Sequence, residues 1–237
     1  MRVPSSEEVR ERIENIRRIP IRYACMTAYI YCGRASEVVG RAYHSDRKMM
    51  TRKGPRGGTK PRGPRGTKDV RLDRFVQGGV EEPAVVFTVR TAKRKGMVRS
   101  VAIPVQYDPW AELLYKYFRE AGDSLVFPFT RQFLYDKAKR EFKGWEYPID
   151  PYKIWENGDV IRNVAAHTKP FGVHALRHVR ATELVEYYGF DGFNLAAYGG
   201  WTISTTQAQF GVNFPRVISR YLYLNWQGYF SKLLKKR

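Results

Sequence analysis

The first periodic stretch of the chain is helical. Apolar Val9, Ile13 and Ile16 recur at helical spacing behind Pro4-Ser5-Ser6-Glu7-Glu8. Ser5 can cap such a helix, and Glu7 and Glu8 suit the positive end of its dipole. Pro20 is expected to stop it, and a second helix rich in Ala, Met, Tyr and Val is expected over about 21–39. Residues 84–90 (AVVFTVR) and 98–104 (VRSVAIP) read as two strands joined by the basic turn TAKRKGM. Amphipathic spacing predicts helices over 110–121 and 130–142, and a clear one over 173–188 that Gly189 ends. A short helix is expected over 193–198 before Gly199-Gly200, with further helical segments over 215–224 and 228–234. Residues 143–168, rich in Pro, Gly and Trp, read as irregular. The sum is a mainly α fold with a small antiparallel β-sheet, an α+β class.

The stretch 45–68 breaks the pattern. SDRKMMTRKGPRGGTKPRGPRGTK is basic, punctuated by Gly and Pro, and has no apolar period. It cannot bury a face and reads as a mobile loop: either a solvated linker or a basic arm that orders on phosphates. Its cations Arg52, Lys53, Arg56, Lys60, Arg62, Arg65 and Lys68 are candidate DNA contacts.

Charge sharpens this picture. The 237 residues carry 42 Lys+Arg against 23 Asp+Glu, a formal net charge of +19. Self-repulsion on that scale is most simply explained by a polyanionic partner, with nucleic acid first and an anionic membrane surface second. No apolar run reaches the roughly 20 residues of a membrane span, and the charged start MRVPSSEEVRERIENIRR is no signal peptide. Cys25 and Cys32, seven residues apart, are expected two turns apart on one helical face, about 10 Å of rise and too far for a disulfide. No zinc spacing is present, and a reducing, cytoplasmic setting follows as an expectation.

The candidate chemistry starts at His174-Ala175-Leu176-Arg177. Positions i and i+3 share a helix face, so imidazole and guanidinium could clamp one phosphate. Downstream stands Tyr198-Gly199-Gly200-Trp201-Thr202-Ile203-Ser204-Thr205-Thr206, and far upstream Tyr31-Cys32-Gly33-Arg34-Ala35-Ser36-Glu37. Between them the strand turn holds Lys93 and Lys95. The order is Arg, Lys, His-x-x-Arg, then a Trp after two glycines.

This order and its local context resemble the tyrosine recombinase family, which takes in phage integrases, the Xer proteins, Cre-like enzymes and archaeal viral or plasmid integrases. Its first arginine sits in a TGLRxSE stretch, matched by CGRASE at 32–37. Its HxxR box is matched by His174 and Arg177, its GH or GW position by Gly200-Trp201, and its following STT run by Ser204-Thr205-Thr206. The resemblance covers most of the chain from Ser5 to about Phe210. It implies an enzyme that cuts DNA by tyrosine attack on a phosphate and rejoins it through a 3′-phosphotyrosine, with no metal or ATP. Arg34 and Arg177 would hold the non-bridging oxygens, with Glu37 supporting the arginines. Lys93, or Lys95 as the nearer rival, would protonate the leaving 5′ oxygen. His174 would hydrogen-bond the phosphate or assist proton transfer, and Trp201 would pack beside the phosphate and donate through its indole N–H. His178, one turn beyond His174, falls outside the box.

One position departs from the family. The nucleophilic tyrosine falls nine residues after the His/Trp position, and residue 210 is phenylalanine. Without a hydroxyl there, covalent attack fails, and losing a nucleophile costs on the order of a millionfold in rate. Either the parent carries tyrosine at 210, or the protein is a naturally inactive DNA binder, or Tyr221 or Tyr223 attacks instead, with Tyr229 a poorer candidate. The resemblance further implies double-stranded DNA as partner, a homo-oligomer on DNA with segment 211–237 docking on a neighbour, and integration or excision of a mobile element. The chain reads as a single catalytic domain over 1–237 without an N-terminal core-binding domain. A non-catalytic DNA-binding module and an RNA-binding protein remain alternatives. High Arg, Tyr and Glu with few Gln point weakly to a thermophilic source.

Overall fold

The structure is a computed structural model and describes residues 4–39, 63–90, 98–149, 151–156, 159–201 and 226–235. Helix α1 (Ser6–Glu14) begins with a reciprocal cap: the Glu8 N–H donates to Ser5 Oγ at 3.2 Å, and the Ser5 N–H to a Glu8 carboxylate oxygen at 2.8 Å. Val9, Ile13 and Ile16 are buried as their spacing predicts. Pro20 does not stop this helix, which already ends at Glu14. It sits in the first turn of α2 (Ile19–Ile30), where a missing N–H costs nothing.

Helix α2 does not run on to residue 39. It ends at Ile30, and the chain turns through Cys32, whose φ of 45° is left-handed, before α3 (Ala35–Val38). Cys25 and Cys32 therefore do not share a helical face, and both are buried free thiols. The turn is held locally, by the Cys32 N–H on the Tyr29 carbonyl at 2.9 Å and the Gly33 N–H on that of Ala28 at 3.3 Å.

Strands β1 (Val70–Gln77), β2 (Val80–Arg90) and β3 (Val98–Pro104) form an antiparallel sheet in that order. The expected pair gains β1, joined to β2 through Gly78-Gly79. Both glycines have positive φ, as a tight two-residue hairpin requires. One face of the sheet packs on α4 (Trp110–Glu120), with Phe87 5.1 Å from Phe118 between ring centroids. The other face takes Trp226 and α8 (Gln227–Phe230), with Phe75 4.9 Å from Phe230. Helix α5 (Arg131–Glu141) starts on its cap Thr130. Among the described residues no helix is long and apolar enough to cross a membrane.

Residues 143–168 are not irregular. They supply β4 (Glu146–Ile149), β5 (Tyr152–Glu156), β6 (Asp159–Val164) and the start of β7 (His167–Pro170), in two-stranded pairs β4–β7 and β5–β6. The end of the basic stretch is also ordered. Arg65 bridges Leu125, a 3₁₀ turn spans Gly66–Lys68, and Lys68 pairs with Asp123 at 2.9 Å. Gly66 lies so close to the turn after α4 that a Cβ would stand 2.1 Å from the Gly122 carbonyl oxygen. The rest of the expected loop, and the expected helix over 215–224, lie outside the described residues.

Helices α6 (Val173–Glu186) and α7 (Gly192–Gly199) complete the core. Charged groups are sealed within it. Arg10 grips Asp108 through two contacts of 2.5 and 3.3 Å and lies 3.9 Å above the Trp110 ring. Burial alone would push the Asp108 carboxyl up, but the charge and hydrogen bonds of Arg10 more than offset this and hold it below the usual carboxylate range. Removing one partner strands a buried charge. Asp108→Ala is expected to cost about 3–5 kcal/mol in urea unfolding, whereas a loss under ~1 kcal/mol would mean that Arg10 finds water instead.

Candidate functional site

Two backbone features place the arginines. At the end of α2 the left-handed Cys32 reverses the chain, and Gly33 follows with no room for a side chain. A Cβ there would stand 2.9 Å from a Glu37 carboxylate oxygen and 3.1 Å from the Tyr31 Cβ. Arg34 then caps α3, its N–H donating to Glu37 Oε2 at 3.0 Å, while its guanidinium stays 3.8 Å from Glu37 Oε1. Glu37 is thus a buried brace for the turn, and the Arg34 side chain remains about one-third exposed.

Helix α6 carries the second arginine. Arg177 is 5% exposed, and Cys32 Sγ donates to its carbonyl at 3.3 Å, joining the two arginine-bearing segments. Neither terminal guanidinium nitrogen has a hydrogen-bond partner among the described residues. The indole of Trp201 lies against it, 4.6 Å from the guanidinium carbon to the ring centroid. The two glycines before Trp201 make this possible. Gly200 takes a left-handed φ of 67° and ends α7, and a Cβ on Gly199 would stand 2.9 Å from the indole. Burial pushes the Arg177 pKa down, and the neighbouring charges of Arg34 and Arg99 add to that.

His174 lies one turn before Arg177 at the exposed rim, with its ring 4.8 Å from that of His178. Its pKa falls to about 4, first through partial burial and then through the charges of His178, Arg177, Arg34 and Lys169. The imidazole is therefore neutral at pH 7, in a positive field.

Arg99, on β3, escaped the sequence reading. Its side chain is 7% exposed and reaches three groups: the Tyr198 carbonyl, the Tyr31 carbonyl at 2.8 Å and Glu37 Oε2 at 3.3 Å. The available signal was a lone arginine inside the apolar strand VRSVAIP. Arg180 was missed too. It is 1% exposed, three residues after Arg177, and bonds Glu183 at 2.5 Å and the Tyr198 hydroxyl at 3.1 Å. Tyr198 passes its own proton to the Ile30 carbonyl at 2.6 Å, fixing α7 against α2.

The structure therefore gathers Arg34, Glu37, Arg177 and Trp201, with His174 at the rim. Arg65 and Lys68 make their contacts at the turn after α4 rather than with this group. Lys93, Lys95, Phe210, Tyr221, Tyr223, Arg52, Lys53, Arg56, Lys60 and Arg62 lie outside the described residues. Tyr229 is sealed in the core, donating to the Ser100 carbonyl at 3.1 Å and accepting from the Ala102 N–H, which removes it as a nucleophile.

No family model and no curated protein matches this chain. Among solved structures it is similar to the XerH site-specific recombinase bound to difH substrate in a pre-cleavage complex, at 15% identity and a TM-score of 0.44, over 92% of this chain and 52% of that one. It is likewise similar to the XerH post-cleavage complex on palindromic difH substrate, at 16% identity and a TM-score of 0.45, over 92% and 51%. The chain spans about half the length of these structures.

The His174 environment has a direct readout. Its folded-state pKa lies below the ordinary 6.5, so the unfolded chain takes up the proton first as pH falls. His174 therefore lowers stability progressively from about pH 6.5 to about pH 4, with no further loss below. An NMR titration of the ring is expected to give about 4 in the free protein and a higher value with inorganic phosphate present, because an anion favours the imidazolium. A free-protein value near 6.5 would contradict the crowded positive field.

Proposed function

We propose that this chain is the catalytic domain of a tyrosine-type site-specific DNA recombinase, serving integration or excision of a mobile element, and that this copy holds its target phosphate without attacking it. The observation that carries the reading is the buried Arg177 guanidinium, whose terminal nitrogens have no partner among the described residues, beside Arg34 in a chain of net charge +19. A buried cation left unmatched costs several kcal/mol, and an arriving phosphate offsets that cost. The motif order that places Arg34, His174, Arg177 and Trp201 in the sequence supports the same reading.

In this proposal Arg34 and Arg177 take the non-bridging oxygens and stabilise charge as the phosphorus becomes five-coordinate. Trp201 packs against the Arg177 guanidinium and turns its indole N–H toward the phosphate, and His174 adds a hydrogen bond that strengthens as its pKa rises. Lys93, or Lys95, gives a proton to the departing 5′ oxygen. The P–O5′ bond breaks as a tyrosine oxygen bonds to phosphorus, leaving a 3′-phosphotyrosine and a free 5′-hydroxyl. Attack by another strand's 5′-hydroxyl reverses the step. Residue 210 is the position for that tyrosine, and its phenylalanine stops the reaction at the bound state. The cations over 52–68 track flanking phosphates, and copies assemble on double-stranded DNA. The second reading, a DNA-binding module that never cleaves, is favoured by Phe210 alone.

The test uses a labelled duplex with a nick that traps the covalent state. Phe210→Tyr is expected to form a protein–DNA adduct that the parent chain does not. Arg177→Ala is expected to weaken duplex binding by about tenfold or more at fixed salt, about 1.4 kcal/mol. Adduct formation by the parent, abolished by Tyr221→Phe or Tyr223→Phe, would move the nucleophile there. Unchanged duplex binding by Arg177→Ala would overturn the phosphate site.

A further inference from the structure

We infer that Arg99 is a positioning residue that shares the Glu37 carboxylate and so limits how far it neutralises the phosphate-binding arginines, an inference that rests on the phosphate site proposed above. Glu37 is 3% exposed and contacts both Arg34 and Arg99. Its Oε2 accepts the Arg34 N–H at 3.0 Å and the Arg99 guanidinium at 3.3 Å, whereas the Arg34 guanidinium is 3.8 Å from Oε1, beyond hydrogen-bond reach. The shorter side-chain contact of the carboxylate is thus the one to Arg99, and the Arg34 side chain is about one-third exposed.

The rest of Arg99 fixes the same geometry from behind. Its other bonds go to the carbonyls of Tyr31 and Tyr198, the residues that lead into the Arg34 turn and the Trp201 turn. Arg99 itself is the second residue of β3, so one guanidinium ties the sheet to both segments that supply the site. Its terminal nitrogens are taken by the Tyr198 and Tyr31 carbonyls and by Glu37, which leaves it the role of support. Removing its charge leaves Glu37 its ion pair with Arg34 but takes away the one with Arg99. The net positive charge where the site must accept a phosphate would then fall.

A double-mutant cycle separates this electrostatic role from simple bracing. Binding of a fluorescent duplex at fixed salt is measured for the parent, Arg99→Met, Glu37→Gln and the pair, with thermal melts run alongside. Arg99→Met is expected to weaken binding by about tenfold, Glu37→Gln by less than about threefold, and the pair is expected to recover most of the loss. A pair as weak as or weaker than Arg99→Met overturns the inference, because bracing cannot be restored by removing a second support. Should Arg99→Met fail to fold, Arg99→Lys decides: affinity within about threefold of the parent supports the charge role, and a tenfold loss overturns it. Arg177→Ala runs as the control. If it too binds like the parent, the phosphate site itself fails; if it is weakened and Arg99→Met is not, only the role of Arg99 fails.

Discussion

A buried cation has to be matched by something, and helix α6 carries two of them on one face with opposite solutions. Arg180, 1% exposed, is met by the Glu183 carboxylate and the Tyr198 hydroxyl. Arg177, one turn earlier and 5% exposed, presents terminal nitrogens that no described group satisfies. Desolvation of a guanidinium is expensive, so the first arrangement settles its charge within the core, whereas the second leaves its terminal nitrogens unsatisfied among the described residues. The difference between structure and site lies in three residues of one helix.

The scaffold around that contrast enforces it through backbone more than through side chains. A left-handed Cys32 and a Gly33 with no space for a Cβ bring Arg34 off the end of α2, and the Cys32 thiol rests on the Arg177 carbonyl. On the other side, Gly199 and Gly200 fold the indole of Trp201 back over Arg177. Positions that look like spacing in the motif are steric requirements. The buried Glu37, Arg99 and Tyr198 then join the two turns and the sheet into one block.

Much of this was legible in the sequence, and the reason differs by element. The helices over 110–121, 130–142 and 173–188 carry one-sided apolar faces and close where their caps and glycines say. The residues Arg34, Glu37, His174, Arg177 and Trp201 stand out by order and local motif. Strands β4 and β7 have no buried face, so alternation never marked them, and β1 buries only Val70 and Phe75 along its length. The break at Cys32 was hidden because residues 24–33 are all buried: burial on all sides erases the period that would reveal a turn. Arg99 and Arg180 were invisible as functional groups because their roles come from partners far away in the chain. Arg99 meets Glu37 at a separation of 62 residues and Tyr31 at 68.

The two cysteines give the molecule an internal reporter. Both thiols are buried, and burial pushes Cys25 up to about 12 and raises Cys32 as well, so neither offers a thiolate to an alkylating reagent while the core is closed. Cys32 lies directly beneath the arginine cluster through its contact with the Arg177 carbonyl. Alkylation at that sulfur accordingly keeps time on how often the ground under the cluster comes apart, and Cys25, inside α2, supplies the comparison clock for opening of the helix itself.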